Sequence, residues 1–186
     1  MKIGISGAQG SFSEQAAGQY CRENGIDSPE LVYLTFVEQV LEALEKGEID
    51  LGIFAIENSN GGVVTEYLPA IGRHRFDIVK IFEMNVEHML LALPGTKREE
   101  VKRIVSQNQA LRQCRMYLKR VWADADVEEY VDTATAAKDL HEGTLPKDAA
   151  VIAPASAGKL YGLEVLEPGI QDLKFNYTTF IAAKKL

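Results

Sequence analysis

Residues 55–64, Ala-Ile-Glu-Asn-Ser-Asn-Gly-Gly-Val-Val, combine polar groups that could bind a small ligand with one that could transfer a proton. They follow the apolar residues 51–54, which are typical of a buried strand. A strand-to-helix turn at the carboxyl end of a parallel strand is where open α/β sheets bind ligands. Gly61 and Gly62 would let a ligand approach backbone N–H groups, and the start of the next helix would favour an anion. Glu57 is the only side chain in this turn that can act in proton transfer.

Two further segments suit either a ligand or ordinary chain geometry. Residues 7–13, Gly-Ala-Gln-Gly-Ser-Phe-Ser, form a glycine-rich loop in which Ser11 has the spacing of a helix cap. A cap and a ligand-binding loop explain this pattern equally well. Residues 176–180, Asn-Tyr-Thr-Thr-Phe, precede an apolar final strand. If they are extended, Thr178 and Thr179 point to opposite faces of the sheet.

A third segment, residues 105–114, places two amides on one side of a predicted helix. Gln109 and Gln113 are four residues apart, and Ser106 has the spacing of a helix cap. Plain capping is the commoner explanation of such a pattern. Uncharged amides could equally donate hydrogen bonds to a carboxylate or hydroxyl of a ligand.

Composition and the remaining motifs exclude several classes of protein. The net charge of −7 and pI of about 5.1 argue against nucleic-acid binding, although a local site can still attract a small anion. The histidines share no ligand spacing, so we predict no metal, and no Gly-x-Ser-x-Gly motif supports a serine hydrolase. Cys21 and Cys114 are expected to be reduced thiols in a cytoplasmic protein. No signal-peptide pattern and no membrane-spanning apolar run is present, so we predict no membrane association.

Strand and helix signals alternate along the chain, which predicts an α/β fold with mainly parallel sheets. Candidate strands are residues 2–6, 31–34, 49–56, 103–106, 127–131, 149–153, 164–166 and 179–183. Val37, Val40, Leu41 and Leu44 form the buried stripe of one helix. Expected helix caps include Thr35, Ser106 and Thr133, and residues 64–71 are expected to be helical.

Residues 76–93 contain no strong breaker and are too long for one typical strand. We interpret them as a strand pair, or one bent strand, that crosses into a second lobe. The prediction is one lobe at about residues 1–76 and 158–186 and another at about 77–157. The ligand would then lie in a cleft between the two lobes.

Together these segments resemble the catalytic domain of the prephenate dehydratase family, in the family's order and over nearly the whole chain. The matching stretches are residues 7–13, 56–63 with the Ile-Glu-Asn-Ser motif, 87–91 with Glu-His-x-Leu-Leu, 106–114 with Ser-x-x-Gln-Ala-Leu-x-Gln-Cys, 132–137, 161–163 and 176–180 with Asn-x-Thr-x-Phe. Each motif is weak alone, whereas the ordered set is specific.

The resemblance implies a two-lobed fold like that of type II periplasmic binding proteins. It also implies a carbon–oxygen lyase of phenylalanine biosynthesis that converts prephenate to phenylpyruvate with loss of carbon dioxide and water, and without a cofactor. By the same resemblance Thr178 assists departure of the hydroxyl, and the other positions tied to activity are Glu57, Asn58, Ser106 and Gln113. The substrate-binding positions implied by it are Ser11, Asn60, Gly61, Gly62, Gln109, Asn176 and Phe180.

Several departures from the family pattern leave substrate preference open. Thr179 stands where the family has an arginine, which could contact a substrate carboxylate. Gln107 and Asn108 replace a histidine and a proline, and Ala55 replaces a proline. Arogenate dehydratase, prephenate decarboxylase and a non-catalytic small-molecule binding module are therefore alternatives.

The chain continues for only six residues after Phe180. The phenylalanine-sensing ACT regulatory domain that usually follows in the family is not part of it. The resemblance therefore implies either an unregulated enzyme or a trimmed piece of a longer one, and a homodimer is the expected assembly.

Overall fold

The computed structural model describes all residues 1–186 and contains eleven strands and seven α-helices. In chain order they are β1 (Lys2–Ser6), α1 (Phe12–Glu23), β2 (Glu30–Leu34), α2 (Val37–Lys46), β3 (Leu51–Asn58), β4 (Gly62–Val63), α3 (Leu68–Arg73), β5 (Phe76–Asn85), β6 (Met89–Ala92), β7 (Arg103–Gln107), α4 (Asn108–Gln113), α5 (Arg115–Val121), β8 (Asp126–Tyr130), α6 (Thr133–His141), β9 (Ala149–Ala153), α7 (Ala155–Tyr161), β10 (Glu164–Glu167) and β11 (Tyr177–Lys185). Short 3₁₀ turns cover Thr65–Tyr67 and Arg98–Glu100. No helix is both long and apolar enough to cross a lipid bilayer.

The chain divides into two units, each with its own sheet. Unit 1 comprises residues 1–85 and 177–186, and unit 2 comprises residues 86–176. The divisions come later in the chain than the predicted limits near residues 76 and 158. The reason is that β5 remains paired with β11 of unit 1 along its whole length. The predicted strand pair in residues 76–93 is confirmed as β5 and β6.

Unit 1 is built on a sheet with the strand order β2-β1-β3-β11-β5, and β4 pairs with β3. Strand β1 runs parallel to β2 and β3, whereas β11 is antiparallel to both β3 and β5. The predicted stripe of α2 is confirmed, because its four apolar residues are all buried against Phe54 and Ile181 of the sheet. Gly52 lies under this helix, where a Cβ atom would come within 2.7 Å of Val40 Cγ1.

Unit 2 has the strand order β10-β6-β9-β7-β8 and is covered on both faces. Neighbouring residues of one strand enter different apolar clusters, as the two-residue period of a strand requires. Val105 and Val151 pack with Leu140 of α6. Ile104 and Ile152 pack with Leu118 of α5 on the other face. This explains why the central strands β6 and β9 of unit 2 are continuous apolar runs.

The sheets are mixed rather than mainly parallel. The pairings β1–β2, β1–β3, β7–β8 and β7–β9 are parallel, and the other five are antiparallel. The chain leaves unit 1 along β5 and returns along its neighbour β11, so these two strands must run in opposite directions. Periodicity predicts that strands exist, but it carries no signal for the direction in which a returning strand inserts.

Two predicted helix caps are wrong by one residue. The N-cap of α2 is Phe36 rather than Thr35, and the Gln39 Oε1 atom accepts the Phe36 N–H at 3.2 Å. The N-cap of α6 is Asp132 rather than Thr133. Its Oδ1 atom accepts N–H groups two and three residues later at 2.9 and 2.8 Å. A carboxylate is a stronger acceptor than a hydroxyl, and it also interacts favourably with the positive end of the helix.

His74, just after α3, is the centre of an ionic contact with α2. Its Nε2 atom lies 3.0 Å from Glu38 Oε1, and its Nδ1 atom lies 3.0 Å from Glu45 Oε2. Arg73 Nη2 lies 2.6 Å from the second oxygen of Glu38. The hydrogen bond with Glu38, followed by that with Glu45, raises the pKa of His74. The imidazolium form therefore ties the end of α3 to two residues of α2 that are about two helical turns apart.

Candidate functional site

The turn after β3 is a β-hairpin, not the predicted strand-to-helix turn. Strand β4 pairs antiparallel with β3, and Asn58 lies opposite Gly62. The Asn58 Oδ1 atom accepts the backbone N–H groups of Asn60 and Gly61, both at 2.9 Å. These two groups therefore bind the protein itself, and the first helical turn begins only at Thr65. An asparagine that folds back on the following backbone favours such a turn over a helix.

Asn58 also contacts Thr178, and the two residues lie opposite each other on β3 and β11. The Asn58 Nδ2 atom donates to Thr178 Oγ1 at 2.9 Å. The amide orientation is determined by the turn, because only the oxygen of Asn58 can accept two backbone N–H groups. Since Thr178 accepts from Asn58, its own hydroxyl hydrogen is directed to another acceptor. The pair therefore works as a polarised hydrogen-bond donor.

Phe180 and α1 lie on the same face of the unit 1 sheet as this pair. Phe180 stacks on Phe82 with 5.8 Å between the ring centroids, and Phe82 is 5.8 Å from Tyr20 of α1. Residues 178 and 180 project to one side of β11, so Thr178 faces α1 as well. Ser11 begins this helix, and its Oγ accepts the Glu14 N–H at 3.3 Å, which confirms the predicted cap.

Glu57 and Thr179 lie on the opposite face of the sheet. Thr179 is directly opposite Glu57 of β3 and Glu83 of β5, so the three side chains share one side. The structure thus separates Glu57 from Thr178, although the sequence places both among the candidate site residues. A cation at position 179 would be flanked by two protein carboxylates. Thr179 supplies no such cation, so it forms no charge pair with Glu57 or Glu83.

In unit 2, Gln113 is the centre of a second polar group. It ends α4, and its Oε1 atom lies 2.7 Å from His88 Nε2. The Asn176 Nδ2 atom donates to the same oxygen at 2.9 Å. His88 and Asn176 are buried, and burial lowers the pKa of His88, so its imidazole is neutral at neutral pH. Spacing between histidines did not reveal this role of His88, because its partners are amides rather than other metal-binding side chains.

Ser106 is not a helix cap. It ends the buried part of β7, and Gln107 takes the cap position of α4. The fully buried Ser106 Oγ donates to the carbonyl of Ile152 at 2.6 Å. This bond joins β7 to the neighbouring strand β9, so the hydroxyl hydrogen serves the sheet. Gln109 lies one turn before Gln113 on α4.

The two polar groups consist of neutral amides, a neutral imidazole and a hydroxyl. Such groups donate hydrogen bonds without titrating near neutral pH, which suits stabilisation of a departing oxygen more than proton exchange by a carboxylate. The structure brings together no group of three or more His, Cys, Asp or Glu side chains that could hold a metal ion.

Comparison with known proteins identifies what this chain is similar to. The model of the family described as prephenate dehydratase matches residues 3–185. A chloroplastic arogenate dehydratase/prephenate dehydratase of Arabidopsis thaliana is 35% identical over 184 residues, which cover 97% of this chain and 42% of the relative. The chain thus spans about two fifths of the length of such relatives.

Solved structures support the same relationship. A prephenate dehydratase from Arthrobacter aurescens is 31% identical with a TM-score of 0.89, and the match covers all of this chain and 60% of that one. The quorum quenching acylase GqqA is 28% identical with a TM-score of 0.82, covering all of this chain and 64% of GqqA. Bacterial lipoproteins and a nutrient-binding protein match at 14–17% identity with TM-scores of 0.50–0.53, which shows a shared fold alone.

Proposed function

The chain belongs to the prephenate dehydratase family, and from that premise we propose that it catalyses the decarboxylating dehydration of prephenate or of its amino counterpart, arogenate. The single observation that carries the proposal is the hydrogen bond from Asn58 Nδ2 to Thr178 Oγ1. It leaves the Thr178 hydroxyl hydrogen for another acceptor, which is what departure of a ring hydroxyl requires.

In the proposed reaction the carbon–carbon bond to the ring carboxylate breaks and releases carbon dioxide. Its electron pair moves into the ring, and the carbon–oxygen bond to the ring hydroxyl breaks as the ring becomes aromatic. Thr178 donates a hydrogen bond to the departing oxygen, which leaves as hydroxide, and solvent supplies the one proton that converts it to water. Asn58 increases the acidity of the Thr178 hydroxyl by donating to its oxygen. Aromatisation supplies the driving force, so no cofactor enters the scheme.

The remaining predicted site residues keep proposed roles of three kinds. Gln113 contributes to the site through the amide whose oxygen lies against His88 and Asn176. Glu57 and Ser106 support the site indirectly, since Glu57 faces away from Thr178 and Ser106 is bound to Ile152. The residues proposed to line the substrate are Ser11, Asn60, Gly61, Gly62, Gln109, Asn176 and Phe180.

Product analysis tests the proposal and its alternatives. The purified chain is incubated at neutral pH with prephenate and, separately, with arogenate, with the Thr178→Val variant and a protein-free sample as controls. Phenylpyruvate or phenylalanine above both controls supports dehydration of the respective substrate. A decarboxylated product that retains the hydroxyl supports a prephenate decarboxylase. Tight calorimetric binding without any product supports a binding module and contradicts the proposal.

Acyl-amide hydrolysis is a second candidate function, favoured by the similarity to the acylase GqqA. Such chemistry needs a nucleophile activated by a neighbouring base. The Thr178 hydroxyl instead accepts a hydrogen bond from the amide of Asn58. We therefore place this function second, and hydrolysis of an N-acyl amide that is lost in Thr178→Val would reverse the order.

We also propose that the chain acts in the cytoplasm as a homodimer on a small-molecule substrate. Several relatives are named as chloroplastic, so compartment is tested by fractionation of the source cells. Light scattering of the purified chain measures the assembly. A monomer at micromolar concentration would contradict the dimer.

A further inference from the structure

Ser59 joins the end of strand β3 to the start of strand β11 through one backbone and one side-chain bond. Its backbone N–H donates to the carbonyl of Tyr177 at 2.8 Å, as in an ordinary antiparallel ladder. The return bond from the Tyr177 N–H goes to Ser59 Oγ at 3.0 Å, where a ladder uses a backbone carbonyl. A serine hydroxyl can replace a backbone acceptor where the chain turns. Ser59 thus enters the hairpin turn and still forms both bonds with Tyr177.

The two bonds of Ser59 determine how Asn58 and Thr178 face each other. In an antiparallel ladder, hydrogen-bonded and non-hydrogen-bonded residue pairs alternate, and side chains are closer in the second kind. Since Ser59 and Tyr177 exchange hydrogen bonds, the neighbouring pair of Asn58 with Thr178 is of the second kind. In agreement, the Asn58 carbonyl accepts the Gly61 N–H at 3.2 Å within the hairpin. This arrangement lets the Asn58 and Thr178 side chains meet at 2.9 Å.

The ladder on the other side of this pair is irregular. The register shifts just after Thr179, because Thr179 lies opposite Glu57 whereas the next residue lies opposite Ala55. This bulge separates Thr178 from the regular part of the β3–β11 ladder. Between the bulge and the end of the ladder, the bonds of Ser59 therefore set the position of Thr178 relative to β3.

We propose that Ser59 is a positioning residue, whose hydroxyl holds Tyr177 so that the Thr178 hydroxyl stays within reach of the Asn58 amide. This inference rests on the proposed function, in which that contact polarises Thr178. Ser59 is exposed. A hydrogen bond between exposed groups adds little to stability, because water replaces the lost partner. The role of Ser59 is therefore expected to show in catalysis more than in folding.

The activity test uses a double-mutant cycle with thermal melting as its control. We expect Ser59→Ala to lower kcat about tenfold, the effect of one lost hydrogen bond, with little change in KM or melting temperature. Ser59→Thr keeps the hydroxyl and should recover most of the loss. In a Thr178→Val background, Ser59→Ala should have no further effect, since the hydroxyl that it positions is absent. Equal losses in both backgrounds, or no recovery in a folded Ser59→Thr variant, would overturn the proposal.

NMR of the substrate-free chain separates this inference from the proposed function. In Ser59→Ala, the Tyr177 amide hydrogen should exchange with solvent about tenfold faster, and the side-chain NH₂ resonances of Asn58 should shift. Both should stay near the wild-type values in Ser59→Thr. An unchanged Tyr177 exchange rate, or unchanged Asn58 resonances, in Ser59→Ala would refute the inference. Both changes without turnover of prephenate or arogenate would support the positioning contact and contradict the proposed function alone.

A second variant covers the case in which Ser59→Ala does not fold. Ser59→Cys has a side chain of similar size, and its thiol is a weak acceptor. It takes the place of Ser59→Ala in both tests, with the same expected results.

Discussion

Asn58 and Thr178 are 120 residues apart in sequence, yet the amide nitrogen of one donates to the hydroxyl oxygen of the other at 2.9 Å. The same asparagine closes the hairpin turn through its oxygen. One side chain therefore shapes the turn with its acceptor and polarises Thr178 with its donor. The two functions can be separated by changing only the donor.

The variant Asn58→Asp should retain the turn and lose the reaction. A carboxylate still accepts from the N–H groups of Asn60 and Gly61, but it cannot donate to Thr178, whose hydroxyl would turn to it instead. We expect kcat to fall about 100-fold, the scale of losing one preorganised donor, with a melting temperature close to that of the wild type.

Thr178→Val is the matched test of the hydroxyl itself, because valine has nearly the same shape. We expect a similar loss of kcat, and partial retention of activity in Thr178→Ser. Steady-state kinetics of Asn58→Asp, Thr178→Val and Thr178→Ser measure kcat. Thermal melting of the same variants measures their stability. Full activity in Thr178→Val would contradict the proposed role of the hydroxyl.

Thr179→Arg should stabilise the protein without speeding the reaction. The new guanidinium would lie between Glu57 and Glu83, and such cross-strand charge pairs contribute about 0.2–1 kcal/mol each. Chemical unfolding at low and at 1 M salt measures the gain, which should fade at high salt. Thr179→Gln is the uncharged control. A rise in kcat/KM of tenfold or more, without added stability, would show instead that a cation at this position contacts the substrate.

The contact of His74 with Glu38 and Glu45 should make stability depend on pH. The pKa of His74 is raised, so its contribution is fully present below the unfolded value of about 6.5 and is lost as pH rises through the folded pKa. The pKa values of both glutamates are lowered, so their contribution fades only as pH falls below about 4.5. His74→Gln should therefore lower the melting temperature more near pH 5.5 than near pH 8.5.

The matched control for this pH effect is His141→Gln, which changes an exposed histidine at the end of α6. Thermal melting of both variants across the pH range gives the comparison. A His74→Gln deficit that is the same at every pH would indicate lost packing and contradict the ionic explanation.

Gly52→Ala should destabilise unit 1 by about 1–3 kcal/mol, the usual effect of overpacking. An added Cβ would lie 2.7 Å from Val40 Cγ1 and 2.9 Å from Leu44 Cδ1, beneath α2. The second change Val40→Ala should recover part of the loss by removing the atom that is struck. Gly72→Ala is the control, because a Cβ there meets nothing within 4 Å. Chemical denaturation that finds both alanine variants equally stable would be inconsistent with this packing.

Patterns of neighbouring residues correctly predicted the features that depend only on short-range contacts. The stripe of α2 and the cap at Ser11 are confirmed because each depends on residues within two helical turns. The helix predicted for residues 64–71 is present as a 3₁₀ turn followed by α3. The direct strand-to-helix turn was wrong, because the Asn58 side chain closes a hairpin before the helical residues begin.

The parts of the site that could not be predicted depend on distant pairs. Nothing near His88 in sequence indicates Gln113 or Asn176 as its partners. The placement of Thr178 opposite Asn58, and of Thr179 opposite Glu57, follows from the register of β11 on β3, which spacing along the chain does not encode. The family resemblance brought most of these residues into one list without revealing which of them touch.

Strand β11 occupies the interior of the unit 1 sheet, between β3 and β5, yet it is the last of the eleven strands to be synthesised. All of unit 2 is synthesised before it, as an insertion whose two ends meet where Val86 N–H donates to the carbonyl of Asn176 at 2.6 Å. Unit 2 can therefore complete its sheet during translation. In unit 1, β3 and β5 lack their shared neighbour until β11 has been synthesised. The step that completes this sheet also brings Thr178 to Asn58, so a chain that lacks β11 would lack both a complete unit 1 sheet and the hydrogen bond on which the proposed reaction depends.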